Sequence, residues 1–158
     1  MNSGSAGTFD QQDEAWMKEA LLLARRAARE QEVPIGAVIV RGGKIIGRGW
    51  NRNIALNDPS AHAEILAMRD AGTAIGNYRL TGCSLYVTLE PCPMCAGAMI
   101  HARLTRIVYG AVDPKTGAAG GRFNILADPT HNHSIQIDGG CLADVSAAML
   151  TDFFRQRR

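Results

Sequence analysis

Apolar side chains recur at helical spacing through residues 13–32, at Trp16, Ala20, Leu23, Ala24 and Ala27. Alanine, leucine, arginine and glutamate dominate this stretch and lose little rotamer freedom in a helix, so it predicts one, closed by Pro34 and Gly36. The pattern then changes period. Residues 37–40 and 45–50 are β-rich runs around Arg41-Gly42-Gly43-Lys44, which predicts a hairpin on a Gly-Gly turn. Asp58-Pro59-Ser60 is a helix-start signal, and residues 61–71 follow with Ile65, Leu66 and Met68 on the apolar side. Residues 84–89 read as a strand bounded by Pro91, 96–102 as a helix, and 105–110 as the next strand. A loop over 113–121, a short alternating strand over 134–138 and a closing helix over 142–157 complete the chain. Strand, helix and strand between 85 and 109 imply a parallel pair joined by a crossover helix. The whole predicts a three-layer α/β/α domain: a mixed sheet of about five strands with helices on both faces.

At 158 residues the chain has the length of one ordinary domain. Its 46% hydrophobic and 20% charged content excludes a disordered tail, and no apolar run approaches the ~20 residues that span a bilayer. The start, MNSGSAGTFDQQDE, has no basic n-region and no apolar h-region. The expectation is a flexible polar leader over 1–12, a single domain over 13–158, and a cytoplasmic setting without membrane attachment. In that setting the four cysteines are expected to be reduced. A net charge of +2 does not announce a protein that coats nucleic acid. Its distribution is uneven, however. Arg103, Arg106, Lys115 and Arg122 are opposed only by Asp113, and a further cluster is Arg155-Gln156-Arg157-Arg158. Solvated surface is the ordinary explanation of such runs.

The stretch LEPCPMCAG places Cys92 and Cys95 three positions apart, between a predicted strand and a predicted helix. A helix N-terminus favours the thiolate, which either attacks disulfides or binds metal. A redox dithiol, half of a structural zinc site and part of a catalytic site are all compatible with the pair alone. A structural tetrad would want a second close pair, and Cys83 and Cys141 stand far apart, as small core residues do. His62, in Ser60-Ala61-His62-Ala63-Glu64, supplies a third ligand at another helix start. Three protein ligands with a fourth position open is the catalytic zinc arrangement. Glu64 lies about 200° from His62 around a helix, so both reach one site only if the helix start points end-on at it. Glu64 would then be the general acid/base; a surface glutamate is the alternative.

His62-Ala63-Glu64 and Pro91-Cys92-Pro93-Met94-Cys95 resemble the H-x-E…P-C-x-x-C signature of the zinc-dependent cytidine deaminase superfamily. Within it the chain is similar to the bacterial tRNA-specific adenosine deaminases over about residues 16–157. The specific parts are VPIGAV at 33–38, GWNR at 49–52, AHAE at 61–64 and the block VTLEPCPMCAGAMIHARLTRIVYGAVDPKTGAAG at 87–120. The resemblance implies one Zn2+ per subunit on His62, Cys92 and Cys95, with hydroxide attack on adenine C6 and Glu64 as proton shuttle. It implies hydrolytic deamination of adenosine to inosine at the wobble position of a tRNA anticodon loop, by a homodimer. The helix after the zinc cysteines would join the dimer interface, where Ala96-Gly97-Ala98-Met99-Ile100 permits close packing. It further implies Asn51 as a hydrogen-bonding contact to the base, Val33, Ile35 and Leu89 as pocket walls, and His101 and Asn132 as RNA contacts near the pocket mouth. A turn asparagine, core packing and ordinary surface roles are the respective alternatives.

Asp113 is an acid in a basic loop, a poor phosphate ligand but a reasonable partner for a ribose 2′-hydroxyl. Pro114-Lys115-Thr116-Gly117-Ala118-Ala119-Gly120 does not fit a phosphate loop, which needs Gly directly before Lys. It is expected to be a substrate-edge loop. Nucleotides splayed from an anticodon loop would stack on aromatic residues and pair with basic ones, and Phe153, Phe154, Arg155 and Arg157 are candidates. Three rivals remain: a guanine or nucleotide deaminase with the same zinc chemistry, a member acting on single-stranded DNA, and a zinc-stabilised RNA-binding module. Dependence on Glu64 separates the last from an enzyme.

Overall fold

Asp10 opens the first helix, α1 (Gln11–Arg29), with a capping box: its carboxylate accepts the Asp13 N–H at 2.7 Å, and Asp13 accepts the Asp10 N–H. The computed structural model describes residues 9–157. Of the expected leader, residues 1–8 lie outside the described residues, whereas 11 and 12 already belong to α1. Met17, Ala20, Leu21, Ala24 and Ala27 form the buried face of α1, and Trp16 and Leu23 sit half-buried at its rim. The hairpin follows as expected, β1 (Gly36–Arg41) and β2 (Lys44–Trp50), with Gly42 and Gly43 at φ 59° and 75° in the turn.

Beyond the hairpin come α2 (Ala63–Ile75), β3 (Ser84–Leu89), α3 (Pro93–His101), β4 (Arg106–Ala111), β5 (Gln136–Gly139) and α4 (Ala143–Arg155). The five strands form one mixed sheet in the order β2-β1-β3-β4-β5. β1 runs antiparallel to β2 and β3, while β3, β4 and β5 are parallel. One core, with α2 and α3, holds Ala67, Leu85, Val87, Met99 and Ile107; the other, with α1 and α4, holds Met17, Leu21, Val38, Tyr86 and Val108. Alternate residues of β3 feed opposite cores, as the strand period requires. The three-layer α/β/α architecture is therefore present.

α2 departs from expectation in its buried face. Ala63, Ala67 and Ala71 are buried with Glu64, while Ile65, Leu66 and Met68 are only half-buried. The reason lies across the interface. A Cβ on Gly49 would overlap Ala63 O and lie 2.5 Å from Ala67 N, and one on Gly47 would lie 2.8 Å from Ala71 N. Helix backbone thus rests directly on strand backbone, and only methyl groups fit between them.

On the opposite face, Arg106 is not part of a solvated basic run. Its guanidinium donates to both Asp13 oxygens (2.7 and 3.2 Å) and to Asp138 (2.9 Å), and the Tyr86 hydroxyl donates to Asp13 at 2.7 Å. This group joins α1, β3, β4 and β5. Burial pushes the Asp13 carboxyl up, but Arg106 and Tyr86 outweigh burial and hold it below its ordinary value. Cys83 and Cys141 are buried core residues, as expected.

Candidate active site

The two ligand-bearing segments are helix caps and not helix interiors. His62 is the N-cap of α2, in extended backbone conformation (φ −76°, ψ 155°), and Cys92 is the N-cap of α3 (φ −79°, ψ 172°) with Pro93 in the first turn. Because His62 precedes the helix proper, the 200° divergence from Glu64 does not apply, and both residues reach one site from the end of α2. Cys95, inside the first turn of α3, is fully buried.

His62 Nδ1 lies 3.6 Å from Cys92 Sγ and 3.5 Å from Cys95 Sγ, and the ligand atoms all lie within 4.8 Å of one another. Zinc bonds of about 2.05 Å to nitrogen and 2.3 Å to sulfur at a tetrahedral angle separate those atoms by about 3.6 Å. The side chains therefore fit zinc in geometry as well as in donor type. Hydrogen bonding from Cys95, then from His62, brings the Cys92 thiol down to about 4 against the effect of burial. The same contact with Cys92, together with burial, pushes the Cys95 thiol up.

Glu64 is 4% exposed, and burial pushes its carboxyl up to about 7, partly countered by its own N–H and by His62. Asn51 is buried beside it: its Oδ1 accepts the Ala63 N–H at 2.8 Å, and its own N–H donates to Ile35 O. Asn51 thus satisfies one of the donors at the start of α2 that His62, which makes no side-chain cap, leaves open. Val33, Ile35 and Leu89 are half-buried. The β1–β3 pairing, in which Ala37 faces Val87, brings the start of β1 to the end of β3, and the Gly36 N–H donates to Thr88 Oγ1.

The remaining predicted contacts separate. His101 and Asn132 line one surface cavity together with Gly97, Ile100 and Arg103. The Asp113 carboxylate accepts the N–H groups of Lys115 and Thr116 and the Thr116 hydroxyl, so it shapes its own loop. Phe153 is 7% exposed and lies under Arg157, whose guanidinium stands 3.5 Å from the ring and also bonds Phe153 O and Gln31. Neither of that pair is available for stacking a base as it stands. Phe154 is 50% exposed, and Arg155 is exposed with only a 3.8 Å pairing to Asp152.

Sequence reasoning passed over two buried carboxylates. Glu90, within LEPCPMCAG, accepts three backbone N–H groups from the 113–121 loop. Glu32 accepts those of Ile54 and Ala55, fixing the loop after Asn51. A glutamate at a strand end facing a glycine-rich loop was the available signal for the first.

Residues 10–111 match the family model for the cytidine and deoxycytidylate deaminase zinc-binding region. The chain is 50% identical to a tRNA-specific adenosine deaminase of Haemophilus influenzae, over 92% of this chain and 85% of that one. It is 46% identical to another of Bacillus subtilis, over 93% and 91%. A solved structure from work on A-to-I editing by tRNA:A34 deaminases at the wobble position superposes with a TM-score of 0.83 at 47% identity, covering 86% of this chain and 99% of that one. A guanine deaminase from Nitrosomonas europaea superposes with a TM-score of 0.78 at 26% identity, covering 89% and 83%. The chain belongs to the zinc-binding cytidine and deoxycytidylate deaminase family and, within it, groups with the tRNA-specific adenosine deaminases.

Proposed function

We propose that the protein hydrolytically deaminates adenosine to inosine at the wobble position of a tRNA anticodon. The observation that carries the chemistry is the His62, Cys92 and Cys95 set at two facing helix starts, with buried Glu64 beside it. His62, Cys92 and Cys95 would hold zinc there, and the chemistry it would supply is a water acidified to a pKa of about 7. Glu64 takes the proton given up as the water oxygen adds to C6, returns it to the ring, and assists departure of the amino group. Water and adenosine thereby become inosine and ammonia.

Asn51 uses its carbonyl on the α2 backbone, and its amide hydrogens are the donors for the base. Val33, Ile35 and Leu89 form the apolar wall. An anticodon adenosine is already unpaired, so turning it into this pocket costs little. His101 and Asn132 meet the RNA beside the pocket, and Phe154 and Arg155 are the exposed partners for more distant nucleotides. Asp113 retains acceptor capacity beyond its loop contacts for a ribose 2′-hydroxyl, which would select RNA over DNA.

The working unit is a homodimer with one zinc per subunit, acting in the cytoplasm where its substrate is. An open groove between α2 and α3, lined by Ile65, Met68, Tyr78, Ala98 and Ala102, supports the dimer. Ala96 and Met99 face the core, so within the 96–100 stretch Gly97, Ala98 and Ile100 are left to meet a partner. Among the described residues no helix is long and apolar enough to cross a membrane.

The test is sequencing of tRNA incubated with the zinc-loaded protein, where inosine reads as G at the wobble position. Glu64→Ala should keep zinc and fold and lose the edit. Ammonia released from guanine, with tRNA unchanged, would sink the reading.

A further inference from the structure

Glu90 lies between the last residue of β3 and Pro91-Cys92, and it is 2% exposed. Its Oε1 accepts the Asp113 N–H at 2.9 Å, and its Oε2 accepts those of Ala119 and Gly121 at 2.8 Å each. Its own N–H donates to Ala111 O, and the Ala118 N–H donates to Pro91 O, both at 2.8 Å. Residues 90 and 91 therefore hold the glycine-rich loop at its entry, its middle and its exit.

The loop is built around this carboxylate. A Cβ on Gly117 would overlap the Glu90 carboxyl group, and one on Gly121 would lie 2.9 Å from its Cδ. Neither glycine has positive φ, so backbone conformation does not require glycine at either place. What they provide is room for the carboxylate. An apolar side chain would fill such a space at lower desolvation cost, so the buried charge is there for what it orders. What it orders is an edge carrying exposed Lys115 and Arg122 and the 44%-exposed ring of Phe123. The Phe123 backbone is itself tied to Gly117 O and Gly120 N.

We infer that Glu90 is a positioning residue that holds the 113–123 loop preformed for RNA, so that Lys115, Arg122 and Phe123 engage the polynucleotide without an ordering cost. This rests on the tRNA reading above. A preformed loop lowers the cost of binding and leaves the metal ligands alone, since Cys92 and Cys95 are held by the start of α3.

Glu90→Gln keeps the length of the side chain but turns an amide NH2 toward one of the loop N–H donors. In the zinc-loaded full chain it should raise KM for tRNA about tenfold, with kcat within about twofold and zinc content unchanged. Gly121→Ala, which pushes on the same carboxylate from the loop side, should reproduce this, and the double variant should be no worse than either single one. In the wild type the amides of Asp113, Ala119 and Gly121 should resist hydrogen exchange, a measurement that holds even if a variant does not fold. Rapid exchange at those three amides, or a Glu90→Gln protein whose kcat falls with KM unmoved, would overturn the inference. A wild type that does not edit tRNA refutes the functional reading instead, and the exchange experiment still decides the clamp.

Discussion

Gly49→Ala should damage the metal site from a strand that contributes no ligand. The new Cβ would overlap Ala63 O and lie 2.5 Å from Ala67 N, where ordinary contact begins near 3.4 Å. β2 and the first turn of α2 must therefore part by roughly 1 Å. β2 is paired along its length to β1, so the helix start is the part that yields. That start carries His62 as its cap and Glu64 in its first turn. Zinc ligands tolerate about 0.2 Å, so a shift of this size should lower zinc affinity at least tenfold and turnover with it. Overpacking of this kind should also cost about 1–3 kcal/mol of stability. Gly43→Ala is the control: it strains a φ of 75° but meets no neighbour, so it should lose stability and keep zinc. Competition for zinc against a chromophoric chelator, with thermal unfolding of the same samples, reads both quantities. If Gly49→Ala bound zinc as tightly as the wild type while Gly43→Ala did not, backbone contact would not be what places the ligands.

Arg106→Ala should lower stability by about 3 kcal/mol, since it strips a buried carboxylate of its bidentate partner; thermal melts would show a fall near 10 °C. The folded Asp13 carboxyl titrates below its ordinary 3.8, so its stabilisation is present above 3.8 and is lost as pH falls through the folded value. Asp13→Asn should accordingly flatten the acid limb of the stability curve, and an unchanged limb in denaturant titrations would assign acid unfolding elsewhere. Phe154→Ala should weaken tRNA binding by about 1–3 kcal/mol and leave the melting temperature alone, whereas Phe153→Ala should do the reverse, with a stability loss of about 3 kcal/mol. Chelation of zinc should lower the melting temperature in the wild type and have no effect in a Cys92→Ala, Cys95→Ala protein.

The strands were legible as short β-rich runs bounded by Gly and Pro, and the parallel β3–β4 pair followed from the intervening helix. The buried stripe of α2 was not. Hydrophobicity favours Ile65, Leu66 and Met68, and only the glycines of a different element reveal that methyl groups are what fit. The candidate metal set was readable because His and Cys are scarce ligand types, His62 following a helix-start signal and the cysteines lying between Pro-marked strand and helix. Glu90 and Arg106 were not, since their partners lie 23 to 31 and as many as 93 positions away. Phe153 is different again. Ser146, Met149 and Phe153 share the inward side of α4 at spacings of three and four, so its burial is present in the periodicity, whereas aromatic character alone does not distinguish it from exposed Phe154.

Precision in this site comes from backbone and not from long side chains. His62 and Cys92 are caps, so the place of each ligand is set by where a helix begins. Where α2 begins is set in turn by two constraints: the close approach of Ala63 to Gly49, and the Asn51 carbonyl that accepts the Ala63 N–H. Asn51 is itself held through its N–H by Ile35 O, and the neighbouring Gly36 N–H by Thr88. A single chain of contacts therefore runs from Thr88 at the end of β3 through Gly36 and Ile35 to Asn51, and on to Ala63 between His62 and Glu64. The donors along it are backbone N–H groups, and its two side-chain acceptors, the Thr88 hydroxyl and the Asn51 carbonyl, belong to short, buried residues. His62, Glu64 and Asn51 therefore share one frame of reference, and in the proposed function that frame is what would align the reacting groups before substrate arrives.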